Sequence, residues 1–466
     1  MNKGLLTGLA WIAATAASSP VAPPTWRLDF YHTGGKSGEV FSVDRVVVEP
    51  LPWAGAAGKN IDKTGFGSYR FEVRDTTGQI LYSRGYSPIY AEWMTTGEEQ
   101  TQNQTFHESL RFPAPSSKVD VVVFKRDAMN RFAEAWRTRV DPASMFVDRS
   151  VPPRYTPIEV ERHGDPSKKV DILLLGDGYT AAECGVKFRR DTRRMANALF
   201  AVEPYKSRRT DFNVWGLCPP SPQSGVSRPS TGVHIATPVG ATYDVFGSER
   251  YVLTMNNRAF RTIASNAPYE FVTILVNSKT YGGGGLYNIY STVAVDNEWA
   301  NYLFIHEFGH HFAALADEYY TSPVAYQTPA TIIEPWEPNV TALLDKPNLK
   351  WKALATPGAA IPTPWPKAEL EAYSRAVQAR RAKLRADRRP ESEMSALFRE
   401  ERAFDSTLFA RSPNAKTIGA FQGANYDANA FFRPAIDCIM FTRDNVPFCP
   451  VCRKTIQDVI DAHIGG

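Results

Sequence analysis

Between Trp26 and Arg149 apolar and polar residues alternate in short runs. Arg27-Leu28-Asp29-Phe30-Tyr31-His32, Tyr69-Arg70-Phe71-Glu72-Val73-Arg74 and Val119-Asp120-Val121-Val122-Val123-Phe124 approximate the period of two that sends successive side chains to opposite faces of a strand. Gly34-Gly35, Thr77-Gly78 and Pro113-Ala114-Pro115 separate them as turns. Short strands at this spacing predict an all-β sandwich over residues 23–149. No cluster of catalytic residue types falls within it.

The pattern changes after Val151-Pro152-Pro153, where a polar run to Lys169 reads as a linker. Val170-Asp171-Ile172-Leu173-Leu174-Leu175 is almost continuously apolar, as in a strand covered on both faces. Gly176 to Thr180 forms a turn, and Thr180 can cap a helix from about Ala181 to Ala201. Phe212-Asn213-Val214-Trp215 and Phe271 to Val276 read as further strands of the same sheet. Strand, helix and strand in this order predict an α/β domain over residues 150–466. Pro219 to Gly240, rich in Ser, Pro and Thr, reads as a long surface loop. The glycine run from Gly282 to Gly285 lacks the Gly-Lys-Ser/Thr of a phosphate loop, and instead predicts close approach of another backbone. Trp365 to Arg402 is charged and interrupted by Pro390, which predicts an insertion of two exposed, solvated helical pieces over about 365–402.

The 466 residues are long enough for more than one domain, and 43% hydrophobic with 22% charged residues is globular composition. Lys+Arg 53 against Asp+Glu 49 gives no electrostatic case for a nucleic-acid partner. No apolar run reaches the ~20 residues of a transmembrane anchor. Lys3, the apolar stretch Leu5 to Ala17 and the small residues and prolines that follow have the layout of a cleaved signal peptide over residues 1–22. They predict a secreted, periplasmic or cell-surface protein.

Five cysteines, an odd count, leave at least one thiol unpaired or bonded to another molecule. Cys438, Cys449 and Cys452 crowd the C-terminus, where Cys449-Pro450-Val451-Cys452 reads as a structural disulfide site. A zinc ribbon needs a second cysteine pair, which the chain lacks.

The chemistry concentrates in His306-Glu307-Phe308-Gly309-His310, an HExxH motif flanked by apolar residues at helical spacing. Residues four apart share one helix face, so the imidazoles of His306 and His310 can converge on one Zn2+ ion. Glu307 is then placed as the general base that takes a proton from water and passes it to the leaving amine. His311 faces elsewhere and reads as a supporting or rim residue. A catalytic zinc needs a third protein ligand. In the metzincin arrangement it lies six residues after the second histidine, where this chain has Ala316. No histidine follows nearby, which leaves Asp317, then Glu318, and third a distant glutamate such as Glu334 or Glu337. A straight helix would carry Asp317 roughly 10 Å past His310. The chain must therefore turn after about Phe312.

The run from His306 to Tyr319 resembles the IgA-peptidase-like family of zinc metallopeptidases, peptidase family M64. The likeness extends to Asp171–Thr180, Asp211–Trp215, Ser221–Val226, Cys438-Ile439-Met440 and Phe448–Arg453. It covers most of residues 150–466, and the preceding sandwich resembles the N-terminal domain often joined to this family. Ala314 stands where the family usually has a glycine. The resemblance implies a metzincin-like zinc endopeptidase acting on a protein or peptide substrate. It also casts Met440 as the methionine of the turn beneath the metal. Tyr319 and Tyr320 either contact the oxyanion or substrate or simply pack, and the strand Gly282 to Val293 is a candidate to pair with an extended peptide.

Two functions of different class follow. One is a secreted zinc-dependent endopeptidase. The other is a catalytically inactive, peptidase-like surface protein that binds glycan or protein through the N-terminal sandwich. The intact Glu307 argues for the first.

Overall fold

The protein is described by a computed structural model covering residues 22–56, 58–321, 331–444 and 446–465. The predicted signal peptide falls, but for its last residue, outside the described residues.

The N-terminal unit contains strands β1 (Pro24–Gly35), β2 (Gly38–Pro52), β3 (Tyr69–Arg74), β4 (Ile80–Tyr86), β5 (Gln104–Pro113), β6 (Val119–Arg126), β7 (Phe132–Val140) and β8 (Val147–Asp148). They form two four-stranded sheets, ordered β5-β1-β2-β8 and β4-β3-β6-β7. Leu28 and Phe30 of one sheet and Phe71, Val73, Val121 and Val123 of the other fill one shared core. Alternation drives this pairing, because burying one face of each sheet removes its apolar side chains from water. The unit is not purely β: a short helix α1 (Ile89–Trp93) interrupts it. Pro88 precedes that helix, and Tyr90 and Trp93 are buried under it.

The C-terminal unit is built on a six-stranded sheet of β9 (Ile158–Glu161), β10 (Val170–Asp177), β11 (Phe212–Leu217), β14 (Phe271–Val276), β15 (Gly283–Leu286) and β16 (Tyr290–Ala294). The small ribbon of β12 (Ala241–Thr242) and β13 (Leu253–Thr254) lies outside it. The order is β15-β16-β14-β10-β11-β9, with the inner four strands parallel and both edge strands antiparallel. The segment predicted as a plain linker therefore supplies β9. The single strand predicted over Gly282–Val293 is a hairpin of two, turning at Asn288 with φ 56°.

Every residue of β10 is buried, since it has parallel partners on both sides and layers on both faces. Ile172 and Leu174 face α3 (Lys187–Leu199), α5 (Ala300–Ala313) and α8 (Pro450–His463). Leu173 and Leu175 face α4 (Asn257–Ala264) and, beyond it, Tyr90, Trp93 and Phe106 of the N-terminal unit. The one helix predicted over 181–201 is two, α2 (Ala181–Gly185) and α3, broken at Val186 after a glycine of low helix propensity. Thr180 and Glu183 form the capping box that starts α2. Cys184 and Cys218 are disulfide-bonded.

The charged insertion is a pair of helices, α6 (Lys367–Ala386) and α7 (Glu391–Ala410), and reaches further than the predicted 402. It is not merely solvated. Leu370 and Val377 of α6 and Leu397, Phe398 and Phe409 of α7 are buried, an apolar stripe that the surrounding arginines and glutamates obscure in the sequence. A last hairpin, β17 (Phe421–Ala424) and β18 (Asp427–Arg433), completes the unit. Among the described residues no helix is long and apolar enough to cross a membrane.

Candidate metal centre

Helix α5 carries His306, Glu307 and His310 and is packed nearly all round, with Phe304, Phe308 and Phe312 buried beneath it. It closes at Ala314, whose φ of 55° and ψ of 29° are left-handed. Ala314 N–H then bonds His310 O (3.1 Å), the single bond of a left-handed helix cap, and Leu315 N–H reaches back to Gly309 O (3.4 Å). A glycine would take this conformation without strain. The alanine is held there by its surroundings.

That reversal brings Asp317 back over the helix. Its Oδ1 lies 3.0 Å from His306 Nε2 and 3.2 Å from His310 Nε2, and the two Nε2 atoms are 3.2 Å apart. His306 Nδ1 donates to Ile439 O (3.0 Å) and His310 Nδ1 to Leu315 O, partners that assign each ring's lone pair to Nε2. Three electron-rich atoms thus face one another. Asp317 Oδ1 is buried and accepts no well-formed hydrogen bond from the described residues. The spacing suits a tetrahedral ion with bonds of ~2.0–2.2 Å, whose ligands lie roughly 3.3 Å apart. The donor set fits a metal.

The electrostatics follow the same geometry. Burial opposes the charge on Asp317, yet His310 and His306 beside it hold its carboxyl well below the usual range. Burial likewise opposes a charged His310, but Asp317 and the Leu315 carbonyl raise it to about 9 without metal. Burial raises the Glu307 carboxyl, against the pull of His306 and His310.

Around the three donors the structure distributes the other predicted residues unevenly. Glu307 and His306 open onto a cleft that Tyr319, Arg250 and Tyr302 also line. Helices α6 and α7 form its far wall through Ser374, Arg381 and Asp405, so the insertion borders the site. Tyr319 stacks on His306, its ring inclined by 16°, and its hydroxyl receives a hydrogen bond from Arg250 (3.2 Å). Tyr320 turns the other way, packing on Phe441 and Trp365, and does not line this cleft. Successive residues of an extended segment point oppositely, so only one of the two tyrosines can face the cleft.

Glu318 also points away. Its carboxylate accepts from Asn339 (3.0 Å) and lies 3.3 Å from Cys452 Sγ, which removes it as an alternative ligand beside the histidines. Glu334 is engaged by Lys350 and the Ala342 amide instead. His311 is fully buried rather than at the rim, accepting from Val272 N–H (3.1 Å) and donating to Leu286 O (3.0 Å). Burial lowers it to about 3, and it pins α5 to the sheet as a neutral ring. Met440 is buried under the helix, and a Cβ at Gly309 would sit 3.0 Å from its sulfur.

Strand β15 explains the glycines. A Cβ at Gly285 would lie 2.4 Å from Glu307 O and 2.8 Å from His310 Cβ. Its outer edge is partly taken, because Gly283 N–H donates to Arg250 O (3.1 Å) and Gly283 O accepts from Val252 N–H (3.2 Å). Less of this strand is therefore open to an added peptide than its sequence suggested.

Sequence reasoning missed Tyr426. Its hydroxyl donates to Asp317 Oδ2 and lies 3.2 Å from Tyr319 OH. Asn425 and Tyr426, with φ of 48° and 62°, form the two-residue turn between β17 and β18. The turn's amides bind Asp317 O (2.9 Å) and Tyr319 O (3.1 Å). The asparagine was the available signal, since it tolerates such a φ.

A histidine pair one helical turn apart, a converging carboxylate and an adjacent glutamate in a cleft are features of a metal-dependent peptidase. A family model described as IgA Peptidase M64 matches residues 158–460, and one described as Peptidase M64 N-terminus matches residues 19–137. The chain belongs to the IgA peptidase M64 family, whose members are metallopeptidases. A search of curated proteins found no match.

Proposed function

We propose that the protein is a secreted zinc-dependent endopeptidase, with an N-terminal β-sandwich and a metzincin-like catalytic unit. One observation carries the proposal: His306, His310 and Asp317 present three donor atoms within 3.2 Å of one another, and Glu307 stands beside them in the cleft. Bound zinc would supply Lewis acidity, polarising the scissile carbonyl and acidifying water. The protein's own groups do the rest.

Glu307 accepts the proton of the attacking water and delivers it to the leaving amine, a role suited to a buried carboxyl whose proton affinity is raised. Tyr319, oriented by Arg250, offers a hydroxyl toward the cleft where negative charge develops on the carbonyl oxygen. Tyr426 holds Asp317, and Ile439 and Leu315 hold the imidazoles, so the ligands are oriented before substrate arrives. Met440 forms the apolar floor. The Cys184–Cys218 disulfide supports export, because such bonds persist in oxidising compartments. The substrate is a protein or peptide, and the family's label does not by itself make it immunoglobulin.

The test compares the wild-type protein with Glu307→Ala on casein or gelatin, with and without chelator. Wild type should lose cleavage on chelation, and the variant should lose at least ~100-fold of the rate while keeping its zinc. Unchanged hydrolysis by Glu307→Ala refutes the assigned base. Absence of zinc and of cleavage, with glycan bound by residues 23–149, favours a binding protein instead.

A further inference from the structure

We propose that Glu318, Cys438, Cys449 and Cys452 form a second, structural zinc site directly behind the catalytic centre. Their ligand atoms all lie within 4.8 Å of one another. Cys438 Sγ and Cys452 Sγ are 3.9 Å apart, and Cys452 Sγ is 3.3 Å from Glu318 Oε1. Tetrahedral zinc with Zn–S of ~2.3 Å and Zn–O of ~2.0–2.2 Å spaces its ligands at roughly 3.8 Å between sulfurs and 3.5 Å between sulfur and oxygen. The three thiols are unbonded, and their separation is far from the ~2.05 Å of a disulfide. In the same protein Cys184 and Cys218 are bonded.

The surroundings are those of a built site. All four side chains are buried, Cys438, Cys452 and Glu318 with 0% exposure and Cys449 with 4%. Cys449 N–H points at Cys438 Sγ (3.3 Å) and Cys452 N–H at Cys449 Sγ (3.5 Å), arrangements that stabilise sulfur anions. Cys449 caps the N-terminus of the 14-residue helix α8, so the positive end of that helix faces the sulfurs. Asn339 Nδ2 fixes Glu318 Oε1 at 3.0 Å, while the buried Oε2 has no hydrogen-bond partner among the described residues. A soft-ligand set of three sulfurs and one carboxylate selects zinc over calcium or magnesium.

The site's position gives it a task. Glu318 follows Asp317, and its N–H donates to Met440 O (2.9 Å). Cys438 starts the turn whose Ile439 carbonyl orients His306. A metal joining Glu318 to Cys438 and α8 would therefore clamp together the segments that set the third ligand and the floor of the catalytic centre. This site does not depend on the hydrolytic reading. The sequence concealed it because its fourth ligand is a glutamate far upstream, where a ribbon would have a second cysteine pair.

The test measures zinc in the full chain purified from zinc-supplemented medium. Wild type should hold about two ions per chain, and His306→Ala and Cys452→Ser about one each. Cobalt exchanged into His306→Ala should show a sulfur-to-metal charge-transfer band that is absent from Cys452→Ser. If the cysteine variant fails to fold, the zinc count and cobalt spectrum of His306→Ala decide alone. A His306→Ala protein without zinc and without the band overturns the proposal. So does peptide mapping of wild type that finds a disulfide among Cys438, Cys449 and Cys452.

Discussion

Asp317 and Glu318 are neighbours in sequence that face opposite ways, one to the imidazoles at 3.0–3.2 Å and the other to the Cys452 sulfur at 3.3 Å. The extended chain after Ala314 imposes this split, since its side chains alternate. One turn thereby serves two clusters. The tip of the β17–β18 hairpin secures it through Tyr426 and Asn425.

Tyr426→Phe removes a hydroxyl that donates to Asp317 while leaving the ring and the turn in place. Zinc affinity at the catalytic centre should fall about 10–100-fold with no change in circular dichroism. Competition against a chromophoric chelator measures it. Unaltered affinity would mean that Asp317 is positioned by its backbone alone.

Ala314 adopts a left-handed conformation that costs an L-residue about 1 kcal/mol and a glycine almost nothing. Ala314→Gly should raise the melting temperature by an amount equivalent to roughly 1 kcal/mol. Ala314→Val, whose branched side chain resists this φ, should lower both the melting temperature and zinc occupancy. Equal stability of all three proteins would show that the turn bears no strain.

Burial pushes the Asp171 carboxyl up to about 7, against hydrogen bonds from Trp215 (2.7 Å) and Asn213 (3.0 Å) that favour its charge. A raised pKa means that the folded state binds this proton more tightly than the unfolded chain. The associated stability is full below pH ~4, declines by about 1 kcal/mol per pH unit up to pH ~7, and is flat above. Asp171→Asn keeps an oxygen for both donors and has no such loss. Its melting temperature relative to wild type should climb between pH 4 and 7, then level. A difference independent of pH would show that the carboxyl does not titrate in that window.

Local periodicity was enough for the strands at Tyr69–Arg74 and Phe271–Val276, which begin and end where alternation and apolar runs predicted. It was not enough for the glycine-rich hairpin, whose residues are explained by the helix lying against them rather than by their own propensities. Charge likewise disguised the buried stripes of α6 and α7, because both helices carry many ionic residues around a narrow apolar face.

The sequence by itself determined that His306, Glu307 and His310 share one helical turn, because spacing of four residues acts within a single helix and needs no partner. It also carried the family likeness, which the matches at residues 19–137 and 158–460 establish. Only the tertiary structure decided between Asp317 and Glu318, turned Tyr320 away, brought Tyr426 to Asp317 and gathered Glu318 with three distant cysteines. Those choices depend on a single left-handed residue and on contacts between segments more than one hundred residues apart, as between Glu318 and Cys452. No local pattern encodes such contacts. They arise only when burial of the apolar faces folds the chain back on itself.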